Sequence, residues 1–256
     1  MSRLASYASL RGRRVFITGG GTGIGATLVE AFVRQGALVA FVDIAEEASV
    51  ALCRDLAGQG LPAPLYQCCD ITDVPALQAA IAGLAALSGG TFDVLVNNAA
   101  NDQRHKVEEV SLEYWNASIA VNQRPMFFTC QAVLEGMQRK GSGSIINVSS
   151  MSWHAKGAGY PVYATAKAAV IGLTRALARD LGAHGIRVNT VTPGWVMTER
   201  QKALWVDAAA EQEIARSQCL PGKLLPEHVA SMVLFLAADD SAMCTAQEFI
   251  VDAGWV

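Results

Sequence analysis

Short apolar bursts alternate with longer stretches of helical spacing from one end of the chain to the other. Arg14–Thr18, Leu38–Asp43, Pro64–Cys69, Phe92–Asn97, Ser144–Ser149, Arg187–Thr192 and Gln247–Val251 read as strands. Several are apolar throughout, the pattern of strands covered on both faces. Between them, Ile24–Gln35, Pro75–Leu87, Leu112–Arg139, Val162–Ala183 and Glu227–Ala238 carry Ala, Leu and charged residues at helical spacing. This alternation predicts right-handed crossovers and an α/β fold, a doubly wound seven-stranded parallel sheet with helices on both faces. No linker, low-complexity tract or fixed-period repeat interrupts the 256 residues, so one domain over 1–256 is expected.

Composition narrows the class. Hydrophobic residues make up 52% and charged residues 17%, enough for a continuous core and against disorder. A net charge of −3 leaves no basic excess for a phosphate backbone, so nucleic acid is not an expected partner. Cys53, Cys68, Cys69, Cys130, Cys219 and Cys244 form no Cys-x-x-Cys pair, and the four histidines show no ligand spacing. No metal site is therefore expected, and the thiols suit a reducing compartment. Met1–Arg14 lacks the apolar stretch of a secretory signal, and no apolar run approaches the ~18–20 residues that span a bilayer. The expectation is a cytoplasmic protein without a membrane partner.

Val15–Thr18 runs into Gly19-Gly20-Gly21-Thr22-Gly23-Ile24-Gly25 and then a helical stretch. Glycines allow a sharp turn and close approach to a pyrophosphate, while the helix start offers free N–H groups and a positive dipole end. Strand before and helix after make this a Rossmann-type dinucleotide site. The second strand ends at Asp43, 18 residues beyond Gly25. A carboxylate there can accept from adenosine ribose hydroxyls and repels a 2′-phosphate; no adjacent cation offsets it. NAD is thus the expected cofactor. Asp70, ending the third strand, could meet the adenine edge or simply cap the following helix.

Tyr163 and Lys167, four apart in Tyr163-Ala164-Thr165-Ala166-Lys167, project from one helix face, with Pro161 suited to that helix's first turn. A free tyrosine, with a pKa of about 10, is a weak base at neutral pH. An ammonium and a helix N-terminus nearby both favour its phenolate, and a lowered Tyr163 pKa is expected.

The chain resembles the short-chain dehydrogenase/reductase family along nearly its whole length. The matching pieces are Thr18-Gly19-x-x-x-Gly23-Ile24-Gly25, Asn97-Asn98-Ala99-Ala100, Asn122, Ser150, Tyr163-x-x-x-Lys167 and Pro193-Gly194. Ser150 stands thirteen positions before Tyr163, the family's spacing for its active-site serine. The resemblance implies that Tyr163 exchanges the proton with the substrate oxygen and Ser150 hydrogen-bonds that oxygen. It implies that Lys167 holds the nicotinamide ribose, and that Asn122 kinks its helix and supports a water linking Lys167 to solvent. Asn97 is expected to line the cofactor cleft, with Gly19, Thr22, Ile24, Ile71, Ala99, Val196 and Thr198 among the cofactor contacts. Ala100 departs from the family's usual glycine and could crowd its loop. A homotetramer is also implied, with Leu112–Arg139 and Val162–Ala183 at one interface and Phe249–Val256 at another.

Three segments follow strand ends, where ligands of open α/β sheets bind. They are Asn101–His105, Ser152–His154 and Trp195–Gln201. Their many hydrogen-bonding groups and two tryptophans suit a small polyhydroxylated substrate better than a steroid or acyl chain. Asn98–His105, Ser152-Trp153-His154 and Asp252-Ala253-Gly254-Trp255 are similar to bacterial sugar dehydrogenases of the family, which oxidise pentoses at C1. Oxidation of a pentose or 6-deoxyhexose to its aldonolactone is the expected activity, with Asn101, Ser152, His154 and Trp195 in the pocket. Two other readings stay open. An arginine facing the pocket, Arg104 or Arg200, would favour a sugar acid, and polyols and small ketones fit the same catalytic groups. The fold alone also admits a silent dinucleotide-sensing protein.

Overall fold

The computed structural model describes residues 5–256. Along the chain run β1 (Arg14–Thr18), α1 (Gly23–Arg34), β2 (Leu38–Asp43), α2 (Glu46–Gly58), β3 (Leu65–Cys68), α3 (Val74–Leu87) and β4 (Val94–Asn97). Then follow α4 (Leu112–Asn122), α5 (Arg124–Lys140), β5 (Gly143–Val148), α6 (Pro161–Leu181), β6 (Ile186–Pro193), α7 (Glu199–Leu204), α8 (Ala208–Ser217), α9 (Pro226–Ala237) and β7 (Glu248–Val251). The strands form one parallel sheet in the order β3-β2-β1-β4-β5-β6-β7. The order reverses between β1 and β4, and a crevice opens beyond the carboxyl ends of the strands at such a point.

Strand pleating sends alternate residues of each apolar run to opposite faces. Val15 and Ile17 of β1 join a cluster with Leu28, Phe32, Val229 and Val233, from α1 and α9. Phe16, between them, joins the other cluster with Ile81, Leu84, Met137 and Leu181, from α3, α5 and α6. Both faces of β1 and β2 are covered, which is why these two strands carry no polar alternation in their interiors. Burying Phe16 fully is worth about 1.5–3 kcal/mol.

The single long helix expected over Leu112–Arg139 is two helices, broken at Gln123 (φ −133°, ψ −57°). The Asn122 amide donates to Ser118 O (3.1 Å) and Pro125 sits in the first turn of α5. The chain thus stops one helix and restarts another, and the expected kink at Asn122 is present. α2, α7 and α8 join the elements read from the pattern.

A buried polar row crosses the centre of the sheet. The Thr129 hydroxyl lies 2.6 Å from Asn97 Oδ1; Asn97 Nδ2 donates to Asn147 Oδ1 (2.9 Å), and Asn147 Nδ2 to Thr174 Oγ1 (3.0 Å). Thr190 Oγ1 closes the row on Thr174 (2.8 Å). All five are buried, and Asn97–Asn147 and Asn147–Thr190 are register partners. Asn97 therefore spends its side chain in the interior. It does not line the cleft as expected, because it occupies an inward position of β4.

Candidate active site

The turn after β1 is built so closely that side chains would not fit. A Cβ on Gly25 would lie 1.7 Å from the Gly19 carbonyl oxygen, and one on Gly19 would lie 2.8 Å from Ala99 Cα. Gly19 and Gly23 also take positive φ, 68° and 55°, which glycine adopts without strain. Thr18 Oγ1 accepts from the N–H groups of Asn98 (3.0 Å) and Ala99 (3.1 Å), tying the turn to the loop after β4. Thr22 begins α1 without a side-chain cap, leaving the first helical N–H groups available to an anion.

Asp43 fixes this turn from the end of β2. One carboxylate oxygen accepts from Gly21 N–H (2.8 Å), the other from Ala45 N–H (2.9 Å). A cleft of about 550 Å³ opens above, lined by Gly19, Thr22, Ile24, Gly25, Asp43 and Ala99 at this end. Asp70 and Ile71 also line it, although Asp70 Oδ1 accepts from Thr72 N–H (2.8 Å) as a turn cap would. Glycine packing, uncapped helix start and paired acid all fit a dinucleotide. Pro193, Gly194, Val196 and Thr198 line the opposite wall; Gly23 does not face the cleft but packs towards Thr198. Ala100 is exposed and has no positive φ, so its methyl crowds nothing.

At the far end, Ser150, Tyr163 and Lys167 share the cleft. Pro161 is the first residue of α6, so Tyr163 lies in its first turn and Lys167 one turn on. β5 and α6 are stitched beside them: Ser149 Oγ donates to Lys167 O (2.8 Å), and Lys167 Nζ donates to Val148 O (2.8 Å). Lys167 Nζ lies 5.7 Å from the Tyr163 ring centre. Burial pulls the Lys167 pKa down to about 7, the Asp102 charge opposing. Burial also raises the Tyr163 pKa, helped by the charges of Asp102 and Tyr160, while the Ser150 hydroxyl works against it. The expected depression of Tyr163 is thus reversed. Both groups are desolvated, and Lys167 is not a full cation beside the phenol at neutral pH.

Asn122 holds the substrate-side loop rather than a reacting group. Its Oδ1 accepts from Asn101 N–H (2.8 Å) and its Nδ2 donates to Asn101 O (3.0 Å). Asn101, Ser152 and Trp195 line the cleft as expected. The Ser152 hydroxyl is buried without a hydrogen-bond partner among the described residues, as a group reserved for a ligand would be. His154 is elsewhere. Its Nε2 lies 3.0 Å from Glu248 Oε1 on β7 and its ring stacks on Trp153, so it does not face the cleft.

The pattern missed a cross-cleft network centred on Asp102. Arg200 Nη2 pairs with Asp102 Oδ1 (3.2 Å) and donates to Asn101 Oδ1 (3.1 Å), while Gln201 Nε2 donates to Asp102 Oδ2 (2.5 Å). Gln201 Oε1 accepts from Trp195 Nε1 (3.0 Å), which fixes the orientation of its amide. Arg104 lies against two rings, 5.6 Å from the centre of Trp195 and 4.4 Å from that of Trp205. The cap pattern Thr198-x-x-Gln201 signals the start of α7, since Thr198 Oγ1 accepts from Gln201 N–H (3.2 Å), but nothing local points to Asp102 across the cleft.

A glycine-bound cleft ending in Ser, Tyr and Lys on a doubly wound sheet defines a nicotinamide-dependent oxidoreductase, and the chain belongs to the short-chain dehydrogenase/reductase family. A family model described as enoyl-(acyl carrier protein) reductase matches residues 19–256. The chain is 50% identical to a D-xylose 1-dehydrogenase of Caulobacter vibrioides over 251 residues, 98% of each protein. It is 48% identical to a probable galactose dehydrogenase of Rhizobium meliloti over 250 residues, 98% of this chain and 97% of the relative. Among solved structures it is similar to a 3-oxoacyl-[acyl-carrier protein] reductase with bound NAD from Brucella melitensis (TM-score 0.89, 30% identity). That match covers 100% of this chain and 98% of the other. A gluconate 5-dehydrogenase from Burkholderia cenocepacia, in complex with NADP and tartrate, is as similar (TM-score 0.89, 31% identity, 97% of each chain).

Proposed function

We propose that the protein oxidises a neutral aldose at C1 to the aldonolactone with NAD. The observation that carries this reading is the buried Ser152 hydroxyl, which lines the cleft without a hydrogen-bond partner among the described residues. Arg200 is paired with Asp102, whereas Arg104 lies against the rings of Trp195 and Trp205 with no carboxylate partner among the described residues. The Asp102 carboxylate disfavours an acid group beside Arg200, while an aldonate held by Arg104 is the competing reading that the rate comparison below separates. Hydroxyl groups find the unpartnered Ser152 hydroxyl and the Asn101 amide, and Trp195 offers an apolar face to a sugar ring. The two sugar dehydrogenases among the relatives support the same substrate class.

Asp43 supports NAD over NADP, since its carboxylate would repel a 2′-phosphate. Bound NAD supplies the hydride acceptor and, as a ring cation, favours the phenolate. Ser150 orients the C1 hydroxyl and Tyr163 takes its proton as C1–H leaves with its electron pair, giving the lactone carbonyl. Lys167 would hold the cofactor ribose and, in its protonated form, steady the tyrosinate. Asn122 fixes the loop that carries Asn101. The exposed Leu112, Trp115 and Phe127 on α4 and α5 support a homo-oligomer that buries these helices. No helix among the described residues is long and apolar enough to cross a membrane.

The test is a set of initial rates at 340 nm with D-xylose, L-arabinose, D-galactose and their aldonates, each with NAD and NADP. Free aldoses with NAD should be preferred; a faster rate with an aldonate and NAD, or with a simple ketone and NADH, would refute the substrate assignment. Tyr163→Phe should lower turnover by roughly 10²–10⁴-fold with NAD binding retained.

A further inference from the structure

His105 joins the two rims of the cleft without lining it. Its backbone N–H donates to Gly159 O (2.7 Å), and its Nε2 accepts from the N–H of Val162 (3.3 Å). Val162 is the second residue of α6, immediately before Tyr163. The helix opens on Pro161, which has no N–H, and Tyr160 at the N-cap supplies no side-chain bond. The Val162 N–H is thus the first backbone donor of the helix, and the imidazole takes it.

An amide can only donate, so Nε2 is the acceptor and the ring proton sits on Nδ1. There it meets Tyr114 Oη (2.8 Å) and Gln103 O (3.2 Å). Tyr114 Oη accepts from it while donating to Gln103 O (3.2 Å), and the two rings pack with centres 4.8 Å apart. The imidazole is held from α4, from its own loop and from the start of α6.

We propose that His105 is a positioning residue for Tyr163, capping the helix that bears it from the loop that carries Asn101 and Asp102. Placement of the phenol and placement of the substrate loop are then set by one side chain. This rests on the reading of Tyr163 as the proton-transfer group.

The test compares His105→Phe, which keeps a ring but loses the acceptor, with His105→Gln, whose amide oxygen reaches as far as Nε2. Both are made in the full chain, with kcat and KM measured for D-xylose and NAD, and NAD affinity read by fluorescence titration. His105→Phe should lower kcat about fivefold, the rate equivalent of one capping bond of about 1 kcal/mol, with the KM for NAD moving less than about twofold. His105→Gln should restore kcat to within about twofold of the parent. If His105→Phe fails to fold, His105→Ala takes its place. A parental kcat in the variant lacking the acceptor overturns the proposal, as does an equal loss in His105→Gln. Tyr163→Phe is run beside them. Surviving turnover there would mean the site reading itself has failed, whereas a dead Tyr163→Phe beside a parental His105→Phe would remove only this inference.

Discussion

Replacing Lys167 with methionine should stabilise the fold while ending catalysis, and the structure sets the size of the effect. The amine is 1% exposed, and burial brings its pKa from 10.5 to about 7. At pH 7 the unfolded chain's lysine is protonated while the folded one is only half so. At 1.36 kcal/mol per pKa unit, that difference costs the folded state about 4 kcal/mol. Methionine matches the length and removes this cost, but forfeits the bond to Val148 O, worth about 1–2 kcal/mol. The net gain is about 2–3 kcal/mol, or roughly 5–10 °C in Tm for a chain of this size. The sign depends on pH. A lysine depressed in the folded state binds fewer protons there than in the unfolded chain, so wild-type stability rises between pH 7 and pH 10.5. The gap between Lys167→Met and the parent should be largest below pH 7 and close towards pH 10.5. Paired thermal or urea melts of the ligand-free proteins across pH 6–10 measure it. A gap that stays constant with pH, or a variant less stable at pH 7, would refute the argument.

Two further outcomes test the cofactor end. Gly25→Ala forces a methyl onto the Gly19 carbonyl, where only backbone movement gives relief; stability should fall by about 3 kcal/mol, with NAD binding lost in a fluorescence titration. Asp43→Asn keeps a side-chain oxygen able to accept from Gly21 N–H but carries no charge. The ratio of kcat/KM for NADP over NAD should rise roughly 10–100-fold, and an unchanged ratio would remove Asp43 from cofactor selection.

β1, β2 and β4 were legible because burial on both faces leaves apolar runs, and the bounds of all seven strands agree with the sequence pattern to within two residues. α2 was harder to see: Ala45 supplies no cap, and few of its side chains are buried. α7 has no buried residue at all, so its formation rests on Thr198 as cap and on the partners of Arg200 and Gln201 across the cleft. Tyr163, Lys167 and the glycines were visible because their chemistry is local, contained within one helix turn or one tight loop. Asp102 was not. Its partners lie 99 residues further along in Gln201, and no local spacing reports such a pair. Asn97 and His154 misled for related reasons. Asn97 is adjacent to the cleft residue Asn98, and His154 stands two positions beyond Ser152, yet the backbone turns both side chains away.

The row from Thr129 to Thr190 acts like the wards of a lock. Every amide in it has one workable orientation, since reversing Asn147 would set donor against donor at Asn97 and cost the neighbouring bonds together. Sliding β4 against β5 by a single residue would leave these groups buried and unmatched. The heights at which β4 and β5 end are therefore discrete. The separation of the Asn98–Ala99 loop from Ser150 follows from that arithmetic, leaving the loops beyond free to vary without shifting the frame beneath them.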